Sequence, residues 1–206
     1  MTTVFLIDVD NTLYPPEKGV FNVIDKRINR YMEEVLHIEP SLVNKIRLFY
    51  WNRYGTTMTG LIRHYNINPH HFLSYVHDVD VSSILKPNPA LREKLRDIPM
   101  VKVAFTNAPK KHAINVLEAL GIIDLFVDIF DITSADFMGK PNRYPYEKLM
   151  NFLGANSYVM ADDWVQNLLT AKELGFKTVL VSPQSSDDVD ICVRRLEDIE
   201  PEVLEK

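Results

Sequence analysis

The apolar residues of this chain come in short runs that stop abruptly at polar ones, and this pattern restricts the fold more than any other feature. Val4-Phe5-Leu6-Ile7 runs into Asp8, Val101 to Phe105 into Thr106-Asn107, and Tyr158 to Ala161 into Asp162-Asp163. Thr178-Val179-Leu180-Val181 is a fourth run, and Leu125 to Ile132 offers a fifth. Continuous apolar runs of this length read as strands buried on both faces of a parallel sheet. In open parallel sheets ligands bind beyond the carboxyl ends of the strands. The polar residues that end three of the runs would meet there.

Helical periodicity fills the spaces between the later runs. Lys110 to Leu120 places Ala113, Val116, Leu117 and Leu120 on one face, with Gly121 as its stop. Tyr144 to Leu153 follows Pro141 and ends at Gly154; Val165 to Leu174 ends at Gly175. Strand and helix in alternation predict an α/β chain, a Rossmann-like doubly wound parallel sheet with right-handed crossovers. The interval between the first two strands is too long for a plain crossover. It carries periodic segments at Val20–Leu36, Ser41–Tyr54, Thr57–Tyr65 and Pro69–His77, and Asn88–Arg96 leads back towards the sheet. We read residues 15–86 as an inserted helical cap domain, and residues 1–14 and 87–206 as the core domain. Pro15-Pro16 and Lys86-Pro87-Asn88-Pro89 mark the hinges, because proline fixes φ and discourages helix on either side. The tail from Ser185 is acidic and polar, with one short helix.

Composition excludes some functions. The formal net charge of -5 argues against binding a nucleic-acid polymer, although a local cationic site can sit on an acidic protein. The single cysteine, Cys192, rules out an intramolecular disulfide and a cysteine zinc cluster. No basic segment precedes Val4–Ile7, so the run does not read as a signal peptide. No stretch approaches the roughly 20 apolar residues of a membrane span. A cytoplasmic protein without membrane contact is expected, its oligomeric state open.

The chemistry is carried by Asp8-Val9-Asp10-Asn11-Thr12-Leu13, directly after the first strand. Phosphoryl transfer from an unactivated ester needs a nucleophile, a proton donor and positive charge for the equatorial oxygens. Two acids leaving one strand end can enter the same site, Asp8 as a nucleophile forming an aspartyl-phosphate and Asp10 as general acid and base. Taken alone, the motif is equally a turn held by Asx-type hydrogen bonds. Its companions favour chemistry. Thr106-Asn107 offers a hydroxyl, an amide and free backbone N–H groups for phosphate oxygens, or else an N-cap. Lys140 before Pro141 can neutralise Asp8 and a phosphate. Asp162-Asp163 supplies the hard oxygen ligands that suit Mg²⁺.

In this order the four segments resemble the motifs of the haloacid dehalogenase superfamily, from about Thr3 to Ser182, with Asn167 accompanying the last. The resemblance implies Asp8 as nucleophile and Mg²⁺ ligand, and Asp10 as general acid/base with its backbone carbonyl on the metal. It further implies Thr106 on the phosphate with Asn107 assisting, Lys140 bridging Asp8 and phosphate, and Asp163 as direct metal ligand with Asp162 behind it. Trp164 stands where similar sequences carry a small residue. The second acid, Asp10, is what dehalogenases of this family lack, and so favours phosphoryl chemistry. With Asp8, Asp162 and Asp163 ionised and Asp10 protonated, Mg²⁺ and Lys140 would leave the inner set neutral.

Stretches such as Asp10-Asn11-Thr12-Leu13-Tyr14-Pro15, Tyr54-Gly55-Thr56-Thr57, and Thr106-Asn107-Ala108 with His112-Ala113 are similar to the pyrimidine 5'-nucleotidase group. That similarity implies nucleoside monophosphates or similar small phosphate esters as substrates. Among the cap aromatics, Tyr54 precedes a turn that could face the site and stack on a base. His64, His70, His71 and His77 are read as packing or exposed residues. Two alternatives remain: a phosphomutase or phosphotransferase using the same site, and a non-catalytic interaction protein of the same fold.

Overall fold

Residues 3–205 are described by a computed structural model of the chain. Six parallel strands form one sheet in the order β3-β2-β1-β4-β5-β6. They are β1 (Thr3–Ile7), β2 (Val101–Phe105), β3 (Asp128–Phe130), β4 (Ser157–Asp162), β5 (Lys177–Val181) and β6 (Ile191–Val193). The chain runs outward from β1 to β3, then returns to lay β4 on the other side of β1. That reversal opens a crevice at the carboxyl ends of β1 and β4. The expected doubly wound α/β architecture is present. Of the fifth sequence run only residues 128–130 pair. The edge strand β6 was not foreseen, because three residues with Cys192 exposed leave almost no apolar signal.

Alternation along β1 sends Phe5 and Ile7 to one face and Val4 and Leu6 to the other. Leu6 and Val4 pack with Phe105, Tyr146, Leu149, Met160, Leu168 and Phe176, against α8 (Arg143–Leu153) and α9 (Val165–Glu173). Phe5 and Ile7 pack with Leu91, Leu95, Ala113, Val116 and Leu117, from α6 (Pro89–Asp97) and α7 (Lys110–Leu120). The second cluster continues without a break into the helices between β1 and β2.

Those helices are α1 (Val20–Arg30), α2 (Pro40–Tyr54), α3 (Thr57–Tyr65), α4 (Pro69–Val76) and the short α5 (Val81–Ile84). The first periodic segment is not one uniform helix, since a π-type turn spans Tyr31–Val35 after α1. Local chemistry sets the boundaries. Pro40 opens α2, and Gly55 at φ 83 closes it. Thr56 then caps α3, its hydroxyl accepting from Thr59 N at 3.1 Å. Gly55 and Thr56 sit against the loop that precedes α8. A Cβ on Gly55 would meet Pro141 Cδ at 2.9 Å, and one on Gly139 would meet Thr56 Cγ2 at 2.7 Å.

The tightest approach in the helical block is Gly60 of α3 on the ring of Tyr50, where an added Cβ would lie 2.1 Å from Tyr50 Cγ. Gly60→Ala should therefore destabilise the protein by about 1–3 kcal/mol, because the overpacking outweighs a helix-propensity gain of about 1 kcal/mol. Denaturant unfolding of the two proteins measures this. An equal or higher midpoint for the variant would show that α2 and α3 can separate at no cost.

Candidate active site

Four loops converge beyond the carboxyl ends of β1, β2 and β4. Asp8 prolongs β1, its N–H donating to Ala161 O at 2.9 Å. Thr106 prolongs β2 in the same way, donating to Phe130 O at 3.1 Å. Asp162 ends β4, and Lys140 arrives from the loop before α8.

Lys140 ties them together. Its ammonium is buried and donates to Asp8 Oδ1 at 2.8 Å, Asp162 Oδ2 at 2.8 Å and Phe105 O at 2.7 Å. An ammonium has three protons, and all three are used. Burial pushes its pKa down, but the charges of Asp162 and Asp8 outweigh that and hold it above the ordinary value. The amide of Asn107 brackets the Lys140 backbone, accepting from Lys140 N at 2.8 Å and donating to Lys140 O at 2.9 Å. Sequence reasoning offered that amide to a phosphate. Here it is engaged by the backbone and fixes the lysine's loop. Thr106 lines the cavity beside Asp8, its hydroxyl accepting from Ala108 N at 3.0 Å.

The acids fall into two settings. Asp8, Asp162 and Asp163 form one cluster, with one carboxylate oxygen of each within 4.8 Å of the others. Asp162 is saturated by protein donors: Lys140, the Trp164 backbone N–H at 2.9 Å, and Asn167 Nδ2 at 2.9 and 3.0 Å. Asp8 keeps Lys140 on one oxygen and the Thr12 hydroxyl at 3.1 Å on the other. The Asp163 carboxylate receives no hydrogen bond from another described side chain. Burial, with the charges of Asp162 and Asp8 behind it, pushes Asp163 up to about 8. Burial does the same to Asp8, which rises to about 7 despite Lys140. Two under-compensated carboxylates beside a saturated one fit a hard divalent cation held by Asp8 and Asp163.

Asp10 has a different environment. Its Oδ1 accepts from the Tyr14 hydroxyl and from His112 Nε2 at 2.8 Å. Burial works to raise its pKa, but His112, Tyr14 and His77 together hold it below the ordinary carboxylate value. The charge count above took Asp10 as protonated; in the site without metal or substrate these partners favour its carboxylate. Neither Tyr14 nor His112 was singled out from the sequence. Tyr14 lies one helical turn's spacing past Asp10. His112 carries a faint signal, its place after Thr106-Asn107-Ala108.

Asp8, Asp10, Thr106, Asn107, Lys140 and Asp163 all line one cavity of about 620 Å³. It extends under the helical block to Ile24, Ile28, Phe72, Leu73 and Val76, with Asp25, Asn44 and Arg47 adding polar atoms. Tyr54 is not among its lining residues. Its hydroxyl pairs with His64 Nε2 at 2.9 Å, Arg63 covers its ring at 4.9 Å, and it lines a neighbouring depression instead. Trp51, one turn earlier on α2, is the aromatic of that helix that reaches the cavity. It stacks on Trp164 with centroids 4.5 Å apart and planes 20° apart. His77 also lines the cavity.

A family model described as a hydrolase, haloacid dehalogenase-like, matches residues 2–175. Phosphate metabolism protein 8 of Saccharomyces cerevisiae is 29% identical over 196 residues, a match covering 86% of this chain and 60% of the yeast protein. The chain thus spans less than two thirds of the length of that relative. The solved L-2-haloacid dehalogenase from Xanthobacter autotrophicus with chloropropionic acid covalently bound is similar with a TM-score of 0.63 and 16% identity, over 100% of this chain and 99% of that one. The magnesium-bound hydrolase YfnB from Bacillus subtilis gives 0.62 and 15%, over 96% of each chain. A phosphatase from Thermococcus onnurineus gives 0.60 and 18%, over 96% of this chain and 95% of that one. At these identities the structural likenesses speak to the fold alone. No helix among the described residues is long and apolar enough to cross a membrane.

The raised carboxylates make stability depend on pH. Groups whose folded pKa lies above the unfolded value of 3.8 stabilise the fold fully below that value, and the contribution is lost as pH rises through about 7 for Asp8 and about 8 for Asp163. In excess chelator the melting temperature should fall as pH rises across this window, and Mg²⁺ should remove most of the fall. Thermal unfolding with chelator and with Mg²⁺ checks this. A chelator profile that stays flat would mean the cluster is relieved without a cation.

Proposed function

The chain belongs to the haloacid dehalogenase-like hydrolases, and from that premise we propose that it is a Mg²⁺-dependent phosphomonoesterase working through a phosphoaspartate on Asp8. The observation that carries this reading is the presence in one cavity of two carboxylates in opposite settings. Asp8 is held by Lys140 and Thr12 beside the acid cluster, and Asp10 is held apart by Tyr14 and His112. A dehalogenase needs only the first. A phosphatase needs both, one to attack phosphorus and one to move a proton.

In the first step an Asp8 oxygen forms a bond to phosphorus. The bond from phosphorus to the ester oxygen breaks with its electron pair, and Asp10 protonates that oxygen. In the second step water attacks phosphorus, Asp10 takes its proton, and the bond to Asp8 breaks to release phosphate. Asp10 must therefore gain a proton before the first step, and the incoming phosphate dianion favours that by raising its pKa. Lys140, its three protons engaged by the protein, neutralises Asp8 and Asp162, and the Thr106 hydroxyl, whose own proton is not committed among the described residues, binds an oxygen of the transferred group. Mg²⁺ on Asp8, Asp163 and the Asp10 backbone carbonyl would supply charge stabilisation for the phosphoryl oxygens when bound.

Residues 15–86 act as a cap over a core of residues 1–14 and 87–206, excluding water during the first step. The leaving group lies beneath them. Apolar walls from Ile24, Ile28, Phe72 and Val76, with Trp51 at one side and Asn44 and Arg47 adding polar contacts, suit a flat, moderately polar group. Nucleoside monophosphates and similar small phosphate esters have that character. Trp51 replaces Tyr54 as the aromatic contact in this reading.

Phosphate release from a panel of nucleotides, sugar phosphates and cofactor phosphates tests the proposal. With Mg²⁺ the wild type should release phosphate from at least one class, and nucleoside monophosphates should lead. Asp8→Asn should abolish release, and chelator should abolish it reversibly. Release that survives Asp8→Asn, or full activity in excess chelator, would overturn the mechanism. Transfer of the phosphoryl group to a second hydroxyl without free phosphate would make the protein a phosphotransferase.

A further inference from the structure

The side chain of Asp10 is oriented by partners from two parts of the chain. Tyr14 follows it in the same loop, and His112 comes from α7, 102 residues away. Both are almost wholly buried, Tyr14 at 3% and His112 at 1% exposure, so neither contact competes with bulk water. The imidazole of His112 is backed by that of His77, with ring centroids 5.0 Å apart and planes at 58°. His77 is itself pinned at the end of α4, its Nδ1 3.0 Å from Leu73 O. His112 Nδ1 is buried with no partner among the described residues. A carboxylate oxygen can only accept, so the contact requires a hydrogen on Nε2.

A carboxyl oxygen has two lone-pair positions, and both on Asp10 Oδ1 are taken by donors. We propose that His112 is a positioning residue: together with Tyr14 it occupies Oδ1, so that the proton Asp10 delivers can reside only on Oδ2 and is presented to the leaving oxygen. This inference rests on the roles proposed above for Asp8 and Asp10. In the first step the Oδ2 proton passes to the ester oxygen as that oxygen leaves phosphorus with its electron pair. In the second step Oδ2 takes a proton from the attacking water. His112 neither gains nor loses a proton. Removing its donor opens Oδ1 to protonation and frees the carboxyl to rotate, so part of the population holds its proton away from the ester.

Such a defect is selective. An alkyl ester needs its leaving oxygen protonated, whereas p-nitrophenolate departs without help. His112→Leu should lower kcat on an alkyl phosphate by about 100-fold, the lower end of what general-acid catalysis supplies, and on p-nitrophenyl phosphate by less than about threefold. KM should hold for both. His112→Gln, whose side-chain amide can donate from the place of Nε2, should recover most of the alkyl-ester rate. Equal losses on the two esters, or no loss on the alkyl ester, would overturn the assignment. If His112→Leu does not fold, Tyr14→Phe decides: it removes the other donor to the same oxygen, and the same selectivity is expected of it. Tyr14→Phe without that selectivity overturns the assignment as well. A wild type that releases no phosphate from either ester would sink the proposed function and this role together. An active, Asp8-dependent wild type whose variants show no selectivity would sink this role alone.

Discussion

The ammonium of Lys140 is the contact on which the rest of the site depends. It is buried, and it ties the ends of three neighbouring strands through Asp8 after β1, Phe105 O in β2 and Asp162 in β4. The strands stay paired as far as Ile7 and Ala161, but the side chains and loops beyond those ends, where the chain reverses direction, have no ladder to keep them together. A buried charge with three matched acceptors supplies that link. It also restrains two carboxylates that would otherwise repel each other. Removing one partner would leave the others buried and uncompensated, which is far costlier than the net worth of the pair. The same group that organises the fold at this point thus fixes the nucleophile's position, and Asn107 fixes the lysine in turn by gripping its backbone.

The cavity separates its acids electrostatically. Asp8 and Asp163 sit among like charges, and burial works against their ionisation. Asp10 lies in the same cavity yet has its charge supported by His112 and Tyr14. Two carboxyl groups can be assigned different tasks when their surroundings push their proton affinities apart. The direction here is for the metal-free, substrate-free site, and each added charge changes it: a cation relieves Asp8 and Asp163, and a phosphate dianion loads Asp10.

How much of this could be read from the sequence depended on how local the cause was. Helix α7 was legible to the residue, because its periodic face is bounded by Pro109 and Gly121. Helix α3 was equally clear between the Thr56 cap and Asn66. The acids of the site were legible because each ends an apolar run. Long-range facts were not. The environment of Asp10 depends on a histidine more than a hundred residues away, and the role of the Asn107 amide depends on where the Lys140 loop passes. On α2 the fault was rotational: Tyr54 and Trp51 lie about one turn apart, and only packing decides which lines the Asp8 cavity. The edge strand β6 was hidden by its shortness and its exposed middle residue.

Trp51 and Trp164 have one more consequence. They are the chain's only two tryptophans, and they are stacked on each other, one on α2 and one directly after Asp163. The tryptophan emission of the protein, excited selectively beyond the tyrosine absorption, therefore arises from a single place, the seam between the helical block and the acid-bearing loop. Two indoles in face contact couple their excited states, and parting them by a few ångströms changes both intensity and circular dichroism. The protein carries an intrinsic optical gauge of that seam, sensitive to its opening and largely blind to motion elsewhere.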